Sequence, residues 1–169
     1  MMPSPHIQLG MVSEGGDAPT FTAPLANGEV ETFSLADALE EDAPVVLAFF
    51  PGAFTGVCSH EMNTFESRLE DVAEAGGTVY GISVDSPFAL NEFREKLGLS
   101  FDLISDSNKE VIDTYDVRMD FDDLGVYGVA KRSVFVIDSD GTVSYAWVSD
   151  DPGVEPDYDE VIEAIEAAS

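Results

Sequence analysis

Hydrophobic residues recur along this chain with different spacings, and each change of spacing marks an element. The run Pro44 to Phe50 (PVVLAFF) is apolar without interruption, as expected of a strand covered on both faces. After it, Phe65, Leu69 and Val72 fall at i, i+4 and i+7, which predicts one helix over 55–75, stopped by Gly76-Gly77. Thr78 to Val84 reads as the next buried strand. Ser86-Pro87 opens a helix carrying Leu90, Phe93, Arg94 and Leu97. Phe101 to Ile104 predicts a short strand and Asn108 to Tyr115 a short helix. Hairpins are expected where Asn27-Gly28 separates Phe21–Ala23 from Glu29–Phe33, and where Asp140-Gly141 separates Ser133–Asp138 from Thr142–Val148. Ser34 is placed to cap a short helix through Leu39. Pro156 opens a last helix with Tyr158, Val161, Ile162 and Ile165 on one face.

The order is an N-terminal β-hairpin, a β-α-β-α core, a second hairpin and a closing helix. Such an order predicts an α/β protein of three layers, a central mixed sheet with helices on both faces. Residues 1–12 read as a flexible arm, and 13–169 as one domain of a size that supports a sizeable core. Repeats, low-complexity segments and long Pro/Gly/Ser linkers are absent.

Composition narrows the class. With 44% hydrophobic residues the chain is expected to fold, and no apolar run reaches the length of a membrane span. The first eleven residues contain no Lys or Arg and no long apolar stretch, so no signal peptide is read there and a cytoplasmic location is expected. Charge is extreme, with 34 acidic residues against 7 basic ones and a formal net of −27. A nucleic-acid backbone would be repelled by it. Two readings of the acidity stand: an interaction surface for a partner, or adaptation to concentrated salt, where repulsion is screened and carboxylates keep the surface hydrated. The even spread of acids along a chain with regular apolar periodicity favours a halophilic surface.

The chemistry gathers at Cys58, the only cysteine. It follows the first long buried strand, at the carboxyl end where open α/β sheets place their sites. Thr55 is positioned as an N-cap, which puts Cys58 in the third helical position, among N–H groups without intrahelical partners. A negative sulfur is favoured there by about 0.3–1 kcal/mol. An arginine brought from elsewhere in the fold would add to this, and Arg132 stands at a strand end directly before Ser133. Residue types alone leave open an inert buried cysteine, a Thr55 that only caps, and a solvated Arg132. A lone cysteine excludes an intrachain disulfide and a Cys-x-x-Cys oxidoreductase. One Cys with two distant His forms no metal-ligand cluster, so no metal is expected.

Pro51, Thr55 and Cys58 match the Pro-x-x-x-Thr-x-x-Cys motif of the peroxiredoxins, and the phrases FFPGAFTGVCSHE and KRSVFVID also resemble that family. The likeness runs from about Ala18 to Ala168. It implies a thioredoxin-like fold and hydroperoxide reduction without a metal or organic cofactor. Carried over, Cys58 is the peroxidatic nucleophile, Thr55 hydrogen-bonds the peroxide or the sulfur, and Arg132 holds the thiolate. Pro51 shields the sulfur, and the N–H groups of Val57 and Cys58 help bind peroxide oxygens. Phe54 is a candidate lining residue, although Phe54, Trp147 and Tyr127 are read first as core or subunit-contact residues. Glu61 either orients Arg132 or is an ordinary first-turn acid, and His60 is expected in solvent.

The resemblance also implies how the cycle closes. Position 63, where one subgroup carries its resolving cysteine, is Asn63, and the C-terminal tail has none either. The chain resembles the one-cysteine, alkyl hydroperoxide reductase E-like members, whose sulfenic acid is reduced by an external thiol or a thioredoxin- or glutaredoxin-like protein. A homodimer or higher oligomer is implied as well. The rival readings are a peroxide sensor or redox relay using the same thiolate, and a holdase, which the acidic surface does not suggest.

Overall fold

The computed structural model of the chain describes residues 12–169. The arm expected over 1–12 lies outside the described residues except for Val12, which packs partly buried against the core. From there the elements run β1 (Thr22–Ala26), β2 (Val30–Ser34), α1 (Leu35–Glu41), β3 (Val45–Phe49), α2 (Gly56–Ser67) and α3 (Leu69–Glu74). They continue as β4 (Thr78–Ser83), α4 (Pro87–Leu97), β5 (Leu103–Ser105), α5 (Glu110–Thr114) and β6 (Arg118–Phe121). The last are β7 (Val126–Ala130), β8 (Ser133–Ile137), β9 (Val143–Val148) and α6 (Tyr158–Ala168), with a 3₁₀ turn at Asp122–Leu124 between β6 and β7.

Seven strands form one mixed sheet in the order β2-β1-β5-β4-β3-β8-β9, with β3 parallel to β4 and antiparallel to β8. All five residues of β3 are buried. Its side chains alternate: Val45, Leu47 and Phe49 join α1 and α5 on one face, while Val46, Ala48 and then Phe50 meet α2, α3, α4 and α6 on the other. A continuous apolar run is what a central strand between two helical layers requires. This is the thioredoxin-like, three-layer arrangement expected from the sequence.

Several boundaries differ from expectation for identifiable reasons. The helix expected over 55–75 divides at Arg68, whose φ of −103° and ψ of 11° leave the α region. Just before it, the Thr64 hydroxyl donates to the His60 carbonyl at 2.8 Å and the Ser67 hydroxyl to the Thr64 carbonyl at 2.8 Å. Hydroxyls that compete for helix carbonyls bend and loosen a turn. Ser34 caps α1 as expected, accepting from the Asp37 N–H. The glycines of the two expected turns, Gly28 and Gly141, both have positive φ.

One element was not anticipated. β6 and β7 pair antiparallel as a separate two-stranded hairpin. Its polar Asp122-Asp123 turn and short strands gave no long apolar run to read. Only Gly128, Val129 and Ala130 are buried over residues 122–130. This hairpin overhangs the carboxyl end of β3, where the candidate site lies.

Candidate active site

The chain leaves β3 at Phe50 and turns through Pro51-Gly52-Ala53-Phe54 before α2 begins. Asp85, after β4, fixes this loop: its Oδ2 accepts from the Ala53 N–H at 2.8 Å and from the Ser83 hydroxyl at 2.7 Å. Phe54 then takes φ +68°, a left-handed conformation rare for a residue with a Cβ, and redirects the backbone into the helix. Thr55 occupies the N-cap position, but its side chain does not cap. The hydroxyl instead donates to the Gly52 carbonyl at 3.1 Å, closing the loop on itself. The first intrahelical bond runs from the Ser59 N–H to the Thr55 carbonyl at 2.9 Å. The N–H groups of Gly56, Val57 and Cys58 therefore have no partner within the helix.

Cys58 is 1% exposed and sits at the floor of a cavity of about 590 Å³. Around the sulfur the cavity is bounded by Pro51, Gly52, Thr55, Val57 and Arg132. Arg132 enters from the start of β8, the neighbour of β3 in the sheet, so strand pairing fixes how far its side chain reaches. It too is 1% exposed. Its guanidinium donates through Nη2 to Cys58 Sγ at 3.2 Å and through Nη1 to Glu61 Oε1 at 2.5 Å. Nε and Nη2 also donate to the Pro152 carbonyl, at 3.1 and 2.9 Å. Burial by itself would make this charge harder to hold, but attraction from Glu61 and Cys58 outweighs it and keeps the Arg132 pKa above its usual value.

Glu61 is fully buried one turn after Cys58. Burial pushes its carboxyl up from the ordinary 4.5 to about 7, against the downward pull of Arg132. Glu155 repels it from nearby, and Glu61 Oε2 has no hydrogen-bond partner. Of the two readings of Glu61, the structure has the one in which it grips Arg132.

The strap carrying Pro152 is tied down by Glu155. That carboxylate bonds His60 Nδ1 at 2.8 Å and accepts from the Tyr158 hydroxyl at 2.5 Å. Although burial pushes Glu155 upward, these bonds prevail and its carboxyl lies below the usual range. His60 is 68% exposed, as expected of a neighbour that faces away from the sulfur. Neither the Pro152 carbonyl nor the Glu155 clasp could be read from sequence, because the loop 149–157 has no periodicity.

One expected lining residue needs correction. Phe54 does not line the cavity: it is 53% exposed and stands edge-on to Phe93 of α4, with ring centroids 5.3 Å apart. The positive φ at Phe54 turns its side chain outward, away from the floor. Tyr127 is 58% exposed and so is not core; it lines the cavity with Phe121, Leu124, Val126 and Val129 of the β6–β7 hairpin. Trp147 packs partly buried against the core on the α2–α6 side. Among the described residues no cluster of three or more His, Cys, Asp or Glu could hold a metal.

A thioredoxin-like sheet with a buried cysteine at the carboxyl end of its central strand, gripped by a buried arginine, defines a thiol-centred site. Comparison with known proteins gives the family. Residues 15–146 match the AhpC/TSA family. A Mycobacterium tuberculosis protein that carries a peroxiredoxin name is 38% identical over 137 residues, 80% of this chain and 84% of that protein. Alkyl hydroperoxide reductase C of Helicobacter pylori is 36% identical over 160 residues, covering 89% of this chain and 77% of the relative. The crystal structure of peroxidoxin BcpB from Mycobacterium tuberculosis superposes with a TM-score of 0.79 at 28% identity, over 94% of this chain and 99% of that one. The chain belongs to the AhpC/TSA family, the peroxiredoxins, and is a thiol-dependent peroxidase. No described helix is long and apolar enough to cross a membrane.

Proposed function

We propose that Cys58 reduces hydrogen peroxide and organic hydroperoxides through a sulfenic acid that an external thiol reduces. The 3.2 Å contact between Arg132 Nη2 and Cys58 Sγ at the cavity floor carries this reading. The thiolate lone pair attacks the outer peroxide oxygen, an S–O bond forms, and the O–O bond breaks. Sulfur supplies two electrons, and the departing oxygen takes a proton to leave as water or an alcohol. Arg132 holds the thiolate before attack and offsets charge as the O–O bond opens. Thr55 and the N–H groups of Val57 and Cys58 hold the peroxide oxygens, Pro51 keeps bulk water from the sulfur, and Glu61 orients Arg132. Phe54 has no part in binding.

With a single cysteine in the chain, the sulfenic acid condenses with an incoming thiol, releasing water. A second thiol then frees Cys58 and leaves as half of a disulfide. We place this cycle in the cytoplasm, where thiols are kept reduced. We further assign exposed Phe54 and Phe88 to a contact between two copies of the chain, because large apolar groups on so acidic a surface favour burial.

Turnover of hydroperoxide with a recycling thiol tests the reading. The wild type is expected to consume peroxide catalytically and Cys58→Ser to consume none. Residual turnover in Cys58→Ser would overturn the assignment. Stoichiometric oxidation that is reversed only by a client protein's thiol would make the chain a redox relay instead.

A further inference from the structure

We propose that Glu155 is a positioning residue for the reaction at Cys58: its clasp on His60 and Tyr158 holds the Pro152 carbonyl against Arg132, and that carbonyl keeps the guanidinium aimed at the sulfur. The inference rests on the peroxidase reading above and concerns a residue that does not line the cavity.

The guanidinium has more donors than sulfur and Glu61 receive. Arg132 carries five N–H groups in a rigid, planar fork. One bond goes to Cys58 Sγ at 3.2 Å and one to Glu61 Oε1. Nε and Nη2 both donate to a single acceptor, the Pro152 carbonyl, at 3.1 and 2.9 Å. Because the fork is planar, a carbonyl held on its Nε–Nη2 edge fixes the rotation of the whole group, and with it the aim of Nη2 at the sulfur. Arg132 is buried, so donors deserted by that carbonyl meet no bulk water, and the group turns to find other acceptors.

Pro152 belongs to a strap, residues 149–157, that contains no helix or strand and of which only Pro156 is buried. Bonds within the strap are local. The Gly153 N–H reaches Asp151 Oδ1 at 2.9 Å, and the Val154 N–H the Asp151 carbonyl at 3.1 Å. They shape a turn without attaching it to the rest of the protein. The end next to β9 is attached by the Ser149 N–H on the Arg132 carbonyl at 3.0 Å and by Asp150 on Lys131 at 2.8 Å. Glu155 attaches the other end to α2. Its two carboxylate oxygens lie 2.8 and 2.9 Å from His60 Nδ1, and Oε1 accepts from the Tyr158 hydroxyl at 2.5 Å. Tyr158 is itself seated on Phe65 of α2, with ring centroids 5.2 Å apart. His60 lies two positions after Cys58 on the same helix. The contacts therefore close a ring, from Cys58 through Arg132, Pro152, Glu155 and His60 back to the helix that carries the sulfur.

By charge alone, Glu155 works against the site. The charged and titratable groups gathered here are Cys58, His60 and Glu61 of α2, Arg132 before β8, Glu155 on the strap and Tyr158 of α6. Glu155 repels Glu61, and a second carboxylate in the field of Arg132 disfavours a thiolate on the same guanidinium. Its charge and its hydrogen bonds thus have effects of opposite sign on the sulfur, and substitutions separate them.

The test compares Glu155→Ala, Glu155→Gln and Glu160→Ala at one ionic strength. Two quantities are read: the stopped-flow rate of oxidation by hydrogen peroxide, and the pH at which the thiolate absorbance appears. Glu160→Ala removes another carboxylate at the start of α6, one bonded to Tyr145 at 3.0 Å, and is expected to leave both readings as in the wild type. Glu155→Ala should slow oxidation about tenfold and move thiolate formation to higher pH, because Arg132 loses its aim. Glu155→Gln keeps an acceptor for the Tyr158 hydroxyl and a partner for His60, and should bring both readings back close to the wild type. Should Glu155→Ala not fold, Tyr158→Phe decides: it keeps the ring on Phe65, removes one bond of the clasp, and is expected to slow oxidation about threefold. No change there would overturn the proposal. In Glu155→Ala, an undiminished rate with thiolate formation at lower pH would make Glu155 a nearby charge only, and would overturn it too. Equal effects of Glu155→Ala and either Glu160→Ala or Glu155→Gln would do the same. If peroxide fails to oxidise the wild type, the peroxidase reading falls, whereas the thiolate titration uses no peroxide and still decides the part played by Glu155.

Discussion

The floor and the wall of the cavity are built by opposite means. On the floor, Cys58, Glu61 and Arg132 are buried, come from α2 and the residue just before β8, and are locked by bonds between 2.5 and 3.2 Å. The wall is a two-stranded hairpin outside the main sheet, with Leu124, Val126 and Tyr127 exposed along the cavity. The floor sets what can happen to a peroxide bond, and it needs rigid geometry because misplacement by about 1 Å costs about a hundredfold in rate. The wall lines the approach to the sulfur and supplies none of the bonds made there. One part can therefore change without the other.

The comparison is broken most forcefully at Arg132. Arg132→Gln removes the donor to sulfur, and the peroxide rate is expected to fall about 10²- to 10³-fold. It also leaves Glu61 buried without its partner, so stability should drop by about 3–5 kcal/mol. Denaturant titration beside stopped-flow oxidation separates the two effects. An unchanged rate in a folded variant would remove Arg132 from the site. Leu124→Ser on the exposed wall should instead leave both the rate with hydrogen peroxide and the stability within about 0.5 kcal/mol of the wild type.

Glu61 sharpens the same contrast through pH. Its carboxyl lies near 7 in the fold against an ordinary 4.5, so the folded chain binds this proton more tightly than the unfolded one. The contribution to stability is fully present below about pH 4.5 and is lost as pH rises through about 7. The loss amounts to roughly 3 kcal/mol. Glu61→Gln should flatten this segment of the stability curve. A variant whose curve still falls as steeply between those pH values would assign the proton to another group.

How far the sequence could be read follows the same division. The floor was legible because each of its devices leaves a local mark. A two-faced buried strand reads as PVVLAFF, a helix start as Thr55, and a strand end as Arg132-Ser133. Glu61 was ambiguous, since a carboxylate in a first helical turn looks the same whether it faces solvent or an arginine. The wall was not legible. Strands of four and five residues around Asp122-Asp123 carry little periodicity, and of their apolar residues only Val129 and Ala130 are buried. Sequence left Phe54 open as a lining residue because a positive φ cannot be foreseen at a non-glycine residue. Glycines at 125 and 128, both with φ +67°, were the available hint of a hairpin.

The smallest expected effect concerns the surface that floor and wall share. If the net charge of −27 is an adaptation to salt, the melting temperature should rise from low-salt buffer to molar KCl as repulsion is screened. Melts that coincide would favour an acidic docking surface.

The central claim is that the single sulfur of Cys58 takes the oxygen from peroxide. Intact-mass measurement after one equivalent of hydrogen peroxide tests it most directly, with Cys58→Ser as the reference. A gain of one oxygen in the wild type alone, lost again on adding a small thiol, is the predicted result. The same gain in Cys58→Ser, or none in either protein, would contradict it.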